Sequence, residues 1–484
     1  MPSIVSGKNY LNIHSSHHRP SSISPHNSPS SVTLKNHASK STFAVMGLPI
    51  TTSASISVPE ANSFGATVLQ PQADHNSNGR GGCPYLANAH NNGTPDTTHA
   101  NITQQATPAA PAPPLGILNK LENRTFTGRG FNTIFRPHST TSPTALHVTP
   151  VLEPPFIPDN ILQLNITHET QVFAPGLGDV PNRGLLKQED IELNGVPYTQ
   201  TIHDITEAET KPPVIHFEPG LWMHVPATTI PKLKTSLARM ASIPHGTTIN
   251  AQCFSEPSFS RGKPIIPKVD ITPFPVGGGT PFPFPSQDVD NPATFRLPQD
   301  LNPFLQARTI TKEMVKDPNS VLELANKGKD IIENTSYKIT TKPEGNNLGG
   351  GTSNIGFLVG DGQQALELPS RANANATRME AQYWISTVRT KIHLEPWKGP
   401  SEHQRCKHFS PLPLREGEEV PVFEVHFPIP QAKTVTVEYT QLQYTQNVTL
   451  DFAGLSWPHV TVGTLVQTSP TVVHASVLNQ KEGF

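Results

Sequence analysis

From about residue 115 onward, apolar and polar residues alternate with a period of two in short runs, and Gly, Pro and Asn fall between the runs. In LQLNITHETQVF, Leu162, Leu164, Ile166 and Val172 share one face, and Gln163, Asn165, Thr167 and Glu169 share the other. That is the pattern of a half-buried strand. GVPYTQTIHDI puts Val196, Tyr198 and Ile202 on one side. IHFEPGLWMHV separates Phe217, Leu221, Met223 and Val225 from His216, Glu218, Trp222 and His224. ARMASIPHGTTINAQCF reads as two strands around a Pro244-His245-Gly246 turn or bulge. The clearest hairpin is the last one. Leu442, Tyr444, Val448, Leu450 and Phe452 line one face of its first strand, Ala453-Gly454 forms the turn, and SWPHVTVGTLVQ returns. Many short alternating strands with short turns predict an all-β fold, an antiparallel β-barrel, in which the apolar strand faces point inward. On that rule His216 lies on the outside.

Two stretches interrupt the alternation. Near 255–350, TPFPVGGGTPFPFPSQ is a Pro/Gly loop, and TITKEMVKDPNSVLELANKGKDII predicts two short helices split at Pro318. The second interruption spans about 390–432. Residues 1–114 have neither period. They are rich in Ser, His, Asn, Pro and Thr, end in the Pro-rich ATPAAPAPP, and are expected to be a disordered tail and linker. The barrel domain then runs over 115–470, with 471–484 as a C-terminal tail.

Composition narrows the function. Only 35% of residues are hydrophobic, 51 of the 484 are prolines, and the net charge is −2, so no bulk attraction to nucleic acid or to a membrane surface is expected. No apolar run is long enough for a transmembrane helix. The sparse Cys83, Cys253 and Cys406 form no disulfide framework and have no zinc spacing. The N-terminus lacks a compact apolar leader with a cleavage site, so a cytoplasmic protein is expected. The competing reading is a mitochondrial transit peptide, since the first acidic residue is Glu60, but the prolines there oppose the required amphipathic helix.

Four segments in order, FTGRGFN at 126–132, IHFEPGLW at 215–222, SIPHGTTINAQ at 242–252 and WPHVTVGTL at 457–465, resemble the nitrobindin-like haem-binding β-barrels, and most closely their bacterial and fungal peroxidase-like members. The resemblance spans about residues 117–468 without the insertions. It implies haem b as cofactor and His459 as the iron ligand, with Trp457, Thr461 and Gly463 on the same strand face beside it. A neutral imidazole in an apolar lumen suits that role. His245 at the turn and His216 on its strand are the acid–base candidates for peroxide or nitric oxide chemistry. Cys83, in a Cys-Pro pair loosely similar to the thiolate segment of chloroperoxidase-type enzymes, lies in the expected disordered tail and is expected not to be the iron ligand. The competing function is a lipocalin-like carrier of an apolar small molecule without catalysis.

Overall fold

The structure is a computed structural model that describes residues 114–139, 141–150, 160–207, 210–343, 349–359 and 373–480. The expectations for the 1–114 tail and for Cys83 therefore lie outside the described residues, Pro114 apart.

Ten strands form a closed antiparallel barrel: β1 (Thr125–Pro137), β2 (Asn160–Phe173), β3 (Ile191–Asp204), β4 (Val214–Val225), β5 (Ser236–Ile243), β6 (Thr247–Cys253), β7 (Asp330–Thr340), β8 (Asn375–Leu394), β9 (Lys433–Phe452) and β10 (Leu455–Gln467). Each pairs with its neighbour in sequence. The meander closes where β10 pairs with β1, with Phe126 opposite Gln467 and Thr133 opposite Val460. At that seam a side chain on Gly128 or Gly130 would place a Cβ 2.0 or 2.1 Å from the carbonyl oxygen of Thr464 or Val462. This explains the Gly-Arg-Gly spacing of β1: the two strands approach too closely for any larger residue. The β9–β10 hairpin turns on Ala453 and Gly454, both at positive φ (51° and 77°), as a two-residue hairpin of this twist requires. β5 and β6 turn at 244–246, where Gly246 has φ 105°.

The 254–329 insertion contains helices α1 (Asn302–Ala307), α2 (Lys312–Lys316) and α3 (Ser320–Asn326). The break at Pro318 is where the sequence predicts it; α1 is an addition. This insertion lies against the outside of the barrel wall. Its Ile271, Phe284, Ile310, Met314 and Leu322 pack with Phe131, Phe135, Leu162, Leu164, Val460 and Val462 in one buried cluster. A second cluster, with Phe126, Tyr198, Trp222, Met379, Leu442 and Leu465, fills part of the barrel interior. A third lies under the segment between β8 and β9, where Phe423, Val425 and Ile429 cover Val388, Ile392 and Val435.

The covering layer overturns the expected inside and outside. In β2, Leu162 and Leu164 face the insertion, while Gln163 and Asn165 line the lumen. In β4, Glu218 is fully buried and Trp222 nearly so, whereas Phe217 is 37% exposed. His216 therefore points into the barrel, not out of it. In β2, the strand roofed on its outer face buries apolar residues there and frees its inner face for polar ones; β4 carries no such cover, and its inner face is set by the buried Glu218 and Trp222. The simple rule of apolar residues inward assumes a bare outer wall.

Residues 471–480 are likewise not a tail. Thr471–Val473 adds a parallel strand to Phe423–Val425, and a 3-10 turn follows over Ala475–Asn479. Cys406, which the sparse cysteine spacing left outside any bridge, is disulfide-bonded, while Cys253 is a buried free thiol.

Candidate functional site

A cavity of about 460 Å³ opens at one end of the barrel. Its size falls within the range of small-molecule sites. Ile134, Ile202, Ile249, Leu358, Val448 and Leu450 give it apolar walls. His459, His216 and His245, separated by up to 243 positions in sequence, all line it. β10 supplies His459, β4 supplies His216, and the β5–β6 turn supplies His245.

His459 lies deepest. Burial, reinforced by the nearby His216 and His245, pushes its imidazole down to about 3, so the ring is neutral at physiological pH. Its Nε2 lies 2.8 Å from Asn132 Nδ2, and the same amide nitrogen is 2.8 Å from Thr461 Oγ1. With the amide donating to both, the ring proton sits on Nδ1. A hydrogen-bonded line runs from here to the cavity mouth: Asn165 Nδ2 donates to Asn132 Oδ1 (3.2 Å), Gln163 Nε2 to Asn165 Oδ1 (3.1 Å), and Arg136 Nε to Gln163 Oε1 (3.0 Å). These groups stand on the lumen faces of β1, β2 and β10 at a spacing of two, which strand geometry makes automatic.

On the facing wall, His216 Nε2 is 3.1 Å from Glu218 Oε2. Glu218 also takes hydrogen bonds from Tyr198 and from Arg239 Nη2. Burial alone would raise its pKa, but Arg239, and after it His216 and Tyr198, hold the carboxylate at about 2. Arg239 reaches onward to Tyr383 and to Gln446 Oε1 (2.7 Å), which returns to the cavity. The ionised carboxylate thus fixes the orientation of the His216 ring from within a hydrogen-bonded frame. His245 is at the exposed mouth. Its Nε2 is 3.1 Å from the Ile215 carbonyl, and its ring centroid is 6.0 Å from that of His216. Partial burial, and after it His216, lower its pKa.

Below the histidines, Tyr444 closes the floor. Its hydroxyl donates to Glu169 Oε2 (2.6 Å), and Gln200 and Gln171 donate to Glu169 Oε1. Burial raises the Glu169 pKa.

The other sequence candidates separate. Thr461 lines the cavity. Gly463 lies below it, where a Cβ would come within 2.8 Å of the Tyr444 ring. Trp457 is not part of the cavity wall. It is fully buried in the outer aromatic cluster with Phe135, Phe284 and Phe452. Sequence reading missed Asn132, Arg136, Arg239 and Tyr444. Tyr444 stands on the apolar face expected to point inward, as the sequence predicts, but without a role in the site; the signal of the other three was available only as lumen-facing parity. Glu218 was on the right strand face but was assigned to the wrong side of the wall.

A separate group, Cys406, His408 and Glu424, brings potential metal-ligating atoms within 4.8 Å of one another. The disulfide removes Cys406 as a thiolate donor, and Glu424 is already shared between His408 (2.9 Å) and His426. No helix among the described residues is long and apolar enough to cross a membrane.

No family model, curated protein or solved structure matches this chain.

Proposed function

We propose that the cavity binds haem b, with the neutral imidazole of His459 as its axial ligand and His216 and His245 as acid–base groups on the opposite wall. The observation that carries this is the convergence of three histidines, from three separate strands or turns, on one apolar-walled cavity. The donor chemistry fits: a neutral imidazole is a standard haem ligand, and small Thr461 and Gly463 share its strand face. The Asn132 amide now caps Nε2, so coordination through that nitrogen requires the amide to turn away, a loss of about 1 kcal/mol. Bound haem would supply a redox iron for peroxide or nitric oxide.

The chain's own groups do the rest. Glu218, held by Arg239 and Tyr198, keeps the His216 ring in one orientation. His216 and His245 can move a proton between the cavity and solvent at the mouth. The hydrophobic walls limit water. Titration of the purified protein with haemin should give a Soret band; His459→Ala should lose most haemin affinity, while His245→Ala and His216→Ala keep it and alter peroxide reactivity. Unchanged affinity and spectrum in His459→Ala would remove His459 from the role.

The engaged Nε2 favours one second reading, an apolar-ligand carrier in which His459 is only a polar contact. A colourless protein that ignores haemin but binds an apolar fluorophore supports it. As for compartment, the Cys406 disulfide favours an oxidising environment over the cytoplasm expected from the N-terminus. Peptide mapping under non-reducing conditions on protein from its natural source decides between them.

A further inference from the structure

Arg136 is the cation in the cavity wall. It stands on β1 four residues beyond Asn132, about 13 Å along the strand from the His459 contact and near the strand end. Its guanidinium is held by Gln163 Oε1 at Nε (3.0 Å) and by Thr144 Oγ1 at Nη2 (2.9 Å). Both partners are neutral. Among the described residues, no ion pair joins Arg136 to a carboxylate, no Asp or Glu lines the cavity, and Nη1 has no hydrogen-bond partner. The side chain is half-buried. Desolvating a guanidinium without a counter-ion is costly, and a ligand carboxylate at the mouth would offset that cost. Arg also presents a planar fork suited to a carboxylate. Behind it lie the apolar walls.

From this we infer that the mouth of the cavity is a carboxylate subsite, with Arg136 binding the acidic group of an amphipathic ligand whose apolar body fills the lumen. The inference rests on the cavity being the ligand site, but not on the ligand being haem. A haem propionate and a fatty-acid carboxylate share the required chemistry. The hydrogen-bonded line from Arg136 through Gln163, Asn165 and Asn132 to His459 fixes the subsite relative to the imidazole.

Two ligand pairs test it on the full chain: haemin against haemin dimethyl ester, followed by absorbance, and cis-parinaric acid against its methyl ester, followed by fluorescence. Wild type should prefer the free acid by about tenfold in at least one pair, the factor a single charge-assisted hydrogen bond supplies. Arg136→Gln should abolish the preference of free acid over ester, and Arg136→Lys should retain part of it. Preference in the parinaric pair alone would keep the subsite and remove haem as the ligand; preference in the haemin pair supports both. Equal affinity for acid and ester in both pairs, a preference that survives in Arg136→Gln, or no binding of any of the four overturns the subsite.

Discussion

A single partly buried imidazole couples the stability of this barrel to pH. His459 takes up its proton only near pH 3 in the folded chain, because burial and two neighbouring histidines oppose the charge, against about 6.5 when unfolded. Between these values the unfolded state binds more protons. The stabilisation is therefore complete above about pH 6.5 and is lost as pH falls toward 3. Each pH unit of difference is worth about 1.4 kcal/mol, so a loss of about 2–4 kcal/mol is expected over that window. Urea unfolding of wild type and His459→Gln at pH 7.5, 6, 5 and 4 checks this. The variant should show a flatter profile, and parallel profiles would show that the titration lies elsewhere. Glu218 works in the opposite sense to most buried carboxylates. Held at about 2 by Arg239, it stabilises the fold from above the unfolded carboxylate range down to that value. Acid loss near neutrality therefore cannot come from it.

At the scale of elements, the outer layer carries much of the stability. α3 presents Leu322, fully buried against the barrel wall, and Ile310 is buried beside it in the same cluster. Leu322→Ala should cost about 2–5 kcal/mol. The indole fluorescence of Trp457, buried in that cluster, should report the change, whereas affinity for a lumen ligand should change little. A fall in affinity as large as the fall in stability would mean that the layer shapes the lumen directly. This layer also explains which elements were readable in the sequence. The strands, the β5–β6 turn, the Ala453-Gly454 turn and the break at Pro318 rest on local rules: period two, positive φ and the missing proline N–H. Which face of β2 points inward depends on residues 254–329 folding back over the wall, and no local pattern in Leu162 or Leu164 records that. The site was half legible for the same reason. His459, His216 and His245 could be named as chemistry-bearing residues, but Asn132, Arg136 and Arg239 acquire meaning only when strands far apart in sequence share a lumen.

For the whole molecule, the cysteines offer a direct check. Cys253 is buried and free, and Cys406 is bridged. A thiol reagent should leave both unmodified in the native protein, label Cys253 once the chain is unfolded in urea, and label Cys406 only after reduction. Labelling of Cys406 in unreduced, unfolded protein would place it outside any bridge. The barrel wall, finally, divides labour along each strand. In β10, Val460 and Val462 hold the outer layer, while the alternating His459 and Thr461 meet the cavity. A change at a cavity position therefore need not disturb the packing that keeps the chain folded, and a change under the layer need not alter what the cavity accepts. Such a wall is constrained on its packed side and free to vary on the other, so new ligand preferences can be acquired in steps without passing through unfolded intermediates.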